Sequence, residues 1–327
     1  MTAYDLEIGM QTELPAIISA PGAIILTAKL FAEIVRRSPD EDITIDVDDR
    51  NTATITSGVS CFTIIGMDSA EFPELPKITD ADTIKMPQEL LKSMIRQTLF
   101  AVADSTAKPI HQGSLFKIEN GNLDVVSVDG YRLALRREAI NYANNTEFVV
   151  PGKTLIEISK ILSGETEDEV SIFFTKNHIV FEFDDTVVVS RLIEGEYFRI
   201  DQMLSSDYET KIQVNKKELL DCIDRATLLV KESDKKPIIL SITDDNIELK
   251  IQSQIGSMDE EIDINKEGKD IMIGFNPRFL IDALRVIDDE TVTIYLVNPK
   301  APCFIRDDEE NYTYLILPVN INQNQAR

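Results

Sequence analysis

Three short segments of this chain share one pattern: Lys29 to Arg36, Lys153 to Lys160 and Arg278 to Arg285. They begin about 125 residues apart. Each carries a cation at its first and eighth positions, with an acid between them: Glu33, Glu157 or Asp282. Each follows an apolar strand and leaves through an acidic turn into Ile-Thr-Ile, Val-Ser-Ile or Val-Thr-Ile. A second helical pattern at Gln88 recurs at Lys216, so the unit runs strands, helix, strands, helix, strands. A period this long describes a duplicated domain and not a solenoid. Counted back by one period, Asp129 falls on Asp5, so the first copy starts in its middle. It is expected to lack roughly 40 residues, including its first helix.

The local patterns fit that unit. Strands are expected at Ile43 to Val47, Thr52 to Thr56 and Ser60 to Gly66 after a helix from Lys29 to Arg37. Pro73 and Pro76 mark a linker, and a helix follows from Gln88 to Ala103 with Pro87 at its first turn. Helices are expected at Lys153 to Leu162, Lys216 to Val230 and Pro277 to Val286, with strands between them and a second linker from Glu194 to Asp207. Asn322 to Arg327 has the composition of a frayed tail. The fold class is therefore α+β, with boundaries expected at 1–76, 77–199 and 200–327.

Composition bounds the function. With 57 acidic against 33 basic residues the net charge is −24, which excludes a surface that is basic throughout. Cys61, Cys222 and Cys303 are far apart and odd in number, as expected of reduced thiols in a cytoplasmic protein. Neither a secretory leader nor a membrane span is expected. In so acidic a chain, cations that recur at equivalent helix positions suggest a surface for a polyanion, read by its phosphates. The candidates are Lys29, Arg36, Lys153, Lys160, Arg278 and Arg285, with Lys92 and Arg96 as an i, i+4 pair on the other helix of the middle copy.

One corner stands out. Leu123 and Val125 alternate with polar neighbours, as do Tyr131, Leu133 and Leu135, and Asp129-Gly130 supplies a tight turn between two half-buried strands. Catalytic constellations are lacking. His111 and His178 have no partner at a recognisable spacing, and no phosphate-binding Gly-Lys loop, nucleophile elbow or zinc pattern occurs. The acids at Asp46, Asp48, Asp49 and Asp307 to Glu310 lack the glycine-positioned spacing of a calcium loop. Neither metal nor cofactor is expected.

Val128-Asp-Gly-Tyr-Arg-Leu-Ala134, Ile271 to Leu280 and Tyr314 to Ile321 resemble the bacterial DNA polymerase III beta subunit family, the replicative sliding clamps, and the resemblance runs from Tyr4 to Ile321. It implies three domains per subunit, each with two inner helices and outer antiparallel sheets, and two subunits closing head to tail around duplex DNA. It implies a non-catalytic processivity factor that holds polymerase, clamp loader and repair proteins through linear motifs. The pocket for those motifs maps onto Gly130, Tyr131, Arg132, Leu133, Asn276, Phe279, Pro302, Leu315, Leu317, Pro318 and Val319. Phe198 and Met203 reshape its wall, because Tyr197 to Asp201 departs from the family's aromatic-Pro-Asp pattern, and Asn320 stands where the family often has Arg. The ring-closing surface maps onto Ile34, Phe62 and Ile64, facing Leu228 and Leu229 of a second copy. Two other readings stand beside this one: a platform that binds partners without closing a ring, and a metal-dependent nuclease.

Overall fold

The computed structural model describes residues 1–104, 108–204, 207–230 and 236–321. The tail from Asn322 lies outside the described residues. Five α-helices are present among them: α1 (Ala28–Arg36), α2 (Gln88–Thr98), α3 (Gly152–Ile161), α4 (Lys216–Thr227) and α5 (Pro277–Val286). The chain forms two compact units, one of Met1–Asp80 with Val180–Val189 and one of Ala81–Ile179 with Ser190–Arg327.

In the first unit a three-stranded antiparallel sheet is built from Thr44–Val47, Thr52–Ser57 and Ser60–Ile65. Alternate residues of its central strand are buried, with Ala53 and Ile55 in the core, as the period-two pattern requires. A hairpin of Thr2–Tyr4 and Ile8–Thr12 precedes it.

In the second unit one sheet of nine strands runs in the order Thr146–Pro151, Gly113–Glu119, Asn122–Val128, Arg132–Ala139, Tyr312–Ile316, Cys303–Arg306, Thr291–Leu296, Thr210–Asn215 and Asn265–Gly268. Residues from the second and third copies thus share one ladder, joined where Leu133 faces Leu315 and Ala134 faces Tyr314. A four-stranded sheet of Ser257–Asp263, Asn246–Gln252, Ile238–Thr243 and Ile271–Phe275 completes the third copy. Helices α2 and α3 pack together, as do α4 and α5.

Helix ends follow local chemistry. Asn276 Oδ1 accepts from the Arg278 N–H at 3.1 Å, and Asn215 Oδ1 accepts from the Glu218 N–H at 3.0 Å, so α5 and α4 start on side-chain caps. Pro87 is the residue before α2 and not its first turn. That helix stops at Thr98, five residues short of expectation, and Leu99–Ala101 continues as a 3₁₀ turn. The Thr98 hydroxyl donates to the Met94 carbonyl at 2.8 Å, a competing bond that accompanies the change of pitch.

Candidate functional site

The Asp129 corner is a turn held by its own carboxylate. Asp129 Oδ1 accepts from the N–H groups of Tyr131 (2.9 Å) and Arg132 (3.1 Å), and the Asp129 N–H donates to the Arg132 carbonyl. Gly130 takes φ +90°, a conformation that side chains with a Cβ rarely adopt. The repeat is visible at this level. Asp5 Oδ1 accepts from the N–H groups of Glu7 and Ile8, the Asp5 N–H donates to the Ile8 carbonyl, and Leu6 takes φ +74°. In the third copy Ser253 takes the aspartate's place, accepting from the Ile255 N–H while its own N–H donates to Gly256.

What distinguishes the middle copy is Arg132. Its Nε donates to Asp129 Oδ2 at 2.9 Å, Nη1 to Asp282 Oδ2 on α5 at 2.6 Å, and Nη2 to the Phe100 carbonyl at 2.7 Å. The guanidinium carbon lies 4.6 Å from the centroid of the Phe279 ring and 5.3 Å from that of Phe100. The side chain is 11% exposed. Arg132 is therefore a junction inside the protein, and its polar head is directed at intramolecular partners. Tyr131, by contrast, is 63% exposed, with its ring stacked on Phe279 at 6.2 Å between centroids. An accessible aromatic ledge results, anchored from below by a cation.

The closing segment forms the adjoining wall. The Leu317 N–H donates to the Tyr131 carbonyl at 2.9 Å, and the Val319 N–H donates to the Gly274 carbonyl at 2.8 Å. Gly274 allows this approach, since a Cβ there would lie 2.9 Å from Ile321 Cγ1 and 3.2 Å from the Val319 carbonyl oxygen. Leu133 and Leu315 are both 1% exposed and belong to the core beneath, with Leu115, Val126, Tyr197 and Phe304. Met203 and Leu317 pack against that core half-buried, Pro302, Pro318 and Val319 are also half-buried, and Phe198 is exposed. Asn276 spends its side-chain oxygen on capping α5. Of the mapped pocket residues, then, Tyr131, Phe279, Phe198, Met203, Leu317, Pro318 and Val319 offer surface, whereas Leu133, Leu315 and Arg132 support it. The floor of Leu115, Val126, Leu133, Phe304 and Leu315 is apolar. Burial pushes the Tyr197 hydroxyl well above its ordinary pKa, and burial together with the Lys108 charge lowers that of His111, whose ring meets Tyr197 edge-on at 5.8 Å.

The predicted cations divide into two groups. Lys29, Lys153 and Arg278 are exposed. Arg36 pairs with Glu33, Lys160 with Glu157 at 2.9 Å, and Arg285 with Asp224 at 3.2 Å, all on exposed faces. Lys92 donates to the Leu162 carbonyl at the end of α3, and Arg96 to the Val286 carbonyl and Asp288 beyond α5. Those two hold helix termini together, and Arg96 keeps part of its surface accessible.

Of the residues mapped to ring closure, Leu228 is 79% exposed and Phe62 is also exposed. Ile64 and Leu229 are half-buried, Leu229 against the core of the third copy. Ile34 is 5% exposed and belongs to the interior of its own unit. Among the described residues, no group of three or more His, Cys, Asp and Glu side chains is arranged to hold a metal ion, and no helix is long and apolar enough to cross a membrane. Sequence reasoning missed Phe100, Gly274 and the Arg132–Asp282 pair. The one available signal was the recurrent acid at Asp282, which looks in sequence like Glu33 and Glu157.

Residues 1–76, 85–198 and 201–320 match the family profiles of the DNA polymerase III beta subunit, N-terminal, central and C-terminal domains respectively. The beta sliding clamp of Bacillus subtilis is 34% identical over 332 residues, spanning 97% of this chain and 88% of that protein. The beta sliding clamp of Staphylococcus aureus is 32% identical over 331 residues, spanning 98% and 88%. Among solved structures, a putative DNA polymerase III beta subunit from Eubacterium rectale superposes with a TM-score of 0.93 at 56% identity, covering 98% of this chain and 88% of that one. The DNA polymerase sliding clamp from Bacillus subtilis superposes with a TM-score of 0.92 at 34% identity and the same coverage. With all three domain profiles matched in order and relatives aligned along nearly its whole length, this chain belongs to the DNA polymerase III beta subunit family.

Proposed function

We propose that this chain is a processivity factor for DNA polymerase: a sliding clamp that encircles duplex DNA and performs no bond chemistry. The reading rests on family membership along nearly the whole chain. Three clamp domains at 1–76, 77–199 and 200–327 would place Lys29, Lys153 and Arg278 at equivalent positions toward the phosphates. Two subunits would close head to tail, with Phe62 and Ile64 of one near Leu228 and Leu229 of the other. The working compartment would be the cytoplasm, where replication proteins meet DNA.

Partner proteins, among them polymerase, clamp loader and repair enzymes, would dock a linear segment on the Tyr131–Phe279 ledge and against Met203, Leu317, Pro318 and Val319. The exposed Tyr131 ring, stacked on a half-buried Phe279 that a cation backs, is the observation that carries this part of the reading. Two or three apolar anchors at roughly 1.5 to 3 kcal/mol each reach about −8 kcal/mol before ordering costs, the scale of a micromolar, exchangeable complex. The test is primer extension on a long circular template with and without this protein. Product length should rise sharply, and Tyr131→Ala should lose the gain while leaving the fold intact.

A second reading follows from one observation. The whole pocket lies within the unit of Ala81–Ile179 and Ser190–Arg327. A protein that closed no ring would retain it and act as a binding platform. Light scattering at micromolar concentration separates the two, a monomer favouring the platform and a dimer the ring.

A further inference from the structure

The three equivalent helices treat their central acid differently. On α1 Glu33 is bound by Arg36 and Arg37, and on α3 Glu157 is bound by Lys160, so each acid neutralises a cation of its own row. On α5 Asp282 is turned the other way, to Arg132 at 2.6 Å. Residues at i, i+3 and i+4 on a helix are surface neighbours, which places Arg278 and Arg285 within reach of Asp282 were it released. Arg285 instead binds Asp224, and among the described residues Arg278 has no ion-pair partner. Phe279 is adjacent to Arg278 in the chain and bears on the same guanidinium, its ring centroid 4.6 Å from the Arg132 carbon. One residue therefore touches both the acid of the cationic helix and the aromatic ledge.

We infer that Arg132 is a positioning residue that withholds Asp282 from the Arg278–Arg285 row and thereby couples the partner pocket to the DNA-facing helix. The inference rests on the clamp reading above. When the corner is ordered, Asp282 is masked, Arg278 presents its full charge, and Phe279 and Tyr131 are stacked. When the corner loosens, Asp282 returns to its own helix and cancels part of the row. DNA phosphates and an apolar partner segment both favour the ordered corner. Ligands that favour the same state strengthen each other's binding reciprocally.

A double-mutant cycle on the full chain tests this, with anisotropy of a fluorescein-labelled 30-base-pair duplex as the readout at low salt. Arg132→Met should weaken duplex binding about two- to fivefold, the scale of one exposed ion pair. In an Asp282→Asn background the same change should have almost no effect, because no acid remains to be released. Equal factors in both backgrounds would mean that Arg132 acts only as one more positive charge, and would overturn the proposal. Asp282→Asn alone leaves Arg132 bound to Asp129 and Phe100, so the cycle survives should Arg132→Met fold poorly: Arg132→Gln, polar but uncharged, then supplies the second corner, with the same non-additivity expected. The pocket side is read by Tyr131→Trp, a unique reporter in a chain without tryptophan. Duplex should shift its emission when Asp282 is present and not when it is Asn, and a shift indifferent to Asp282 counts against the coupling. A wild-type protein that binds no duplex refutes the clamp reading itself, whereas one that binds with an additive cycle refutes only the coupling.

Discussion

Replacing Gly130 by alanine isolates the backbone cost of the corner. A Cβ built there meets nothing within 4 Å, so no steric clash contributes, and the whole penalty comes from φ +90°. Holding a Cβ-bearing residue in the left-handed region costs about 1–2 kcal/mol. Gly164 provides the control: a Cβ there also meets nothing within 4 Å, and its φ lies outside the left-handed range. Gly164→Ala should stabilise by about 0.4–1 kcal/mol by restricting the unfolded chain. Gly130→Ala restricts the unfolded chain equally, so the two variants should differ by the left-handed cost alone, about 1–2 kcal/mol in urea denaturation at unchanged slope, or by a few degrees in melting temperature. Gly130→Asn should fall between them, since asparagine tolerates this region better. Function should follow, because the Tyr131 carbonyl that accepts from Leu317 is fixed by the same turn. Should Gly130→Ala prove as stable as Gly164→Ala, with partner binding intact, the corner is not held by its glycine and the reasoning fails.

Tyr131→Ala and Leu133→Ala should separate surface from support: the first loses partner-peptide affinity at unchanged stability, whereas the second, 1% exposed in the parent, costs about 2–5 kcal/mol in denaturant unfolding. Changing Lys29, Lys153 and Arg278 together to Glu should weaken DNA binding and flatten its salt dependence by about 0.9 for each phosphate no longer neutralised, and an unchanged slope would remove these residues from the DNA face. A native-state thiol assay should label Cys61 alone, since Cys61 is exposed while burial pushes the Cys222 thiol up to about 12 and that of Cys303 higher still; denaturation should release all three. His111 binds its proton less readily in the folded protein than in the unfolded chain, so the unfolded chain protonates first and stability should fall as pH drops below about 6.5. His111→Gln should remove that part of the pH slope, and a stability curve unchanged by the substitution would contradict the assignment.

The period, the helix pairs and most strand positions were legible in the sequence because each rests on short-range chemistry. Helix α5 begins where Asn276 and Pro277 say it must, since a cap and a proline at the first turn act within a few residues. The end of α2 was not legible, because Leu99, Phe100 and Ala101 continue the apolar spacing while the backbone tightens to a 3₁₀ turn. At the site, Tyr131 and Phe279 could be named from the family resemblance and do come together. The choice Asp282 makes between its own helix and Arg132 could not, for its partner lies 150 residues away and the local pattern matches that of Glu33 and Glu157. The burial of Leu133 and Leu315 has the same origin: alternation predicts half-buried strands, but Leu123 to Val128, Leu133 to Leu135 and Tyr312 to Ile316 are buried on both faces, by segments distant in the chain.

That distant strand has a consequence for biosynthesis. Arg132–Ala139 finds its outer neighbour in Tyr312–Ile316, and Arg136 donates to the Asn311 carbonyl 175 residues further along. While the chain is being made, the middle copy can pair its local strands, but one edge keeps its backbone donors and acceptors open until the third copy has been translated. Exposed edges of this kind recruit stray strands. Ribosome pausing within the third copy should therefore raise the demand for chaperones on a domain whose own residues were completed long before.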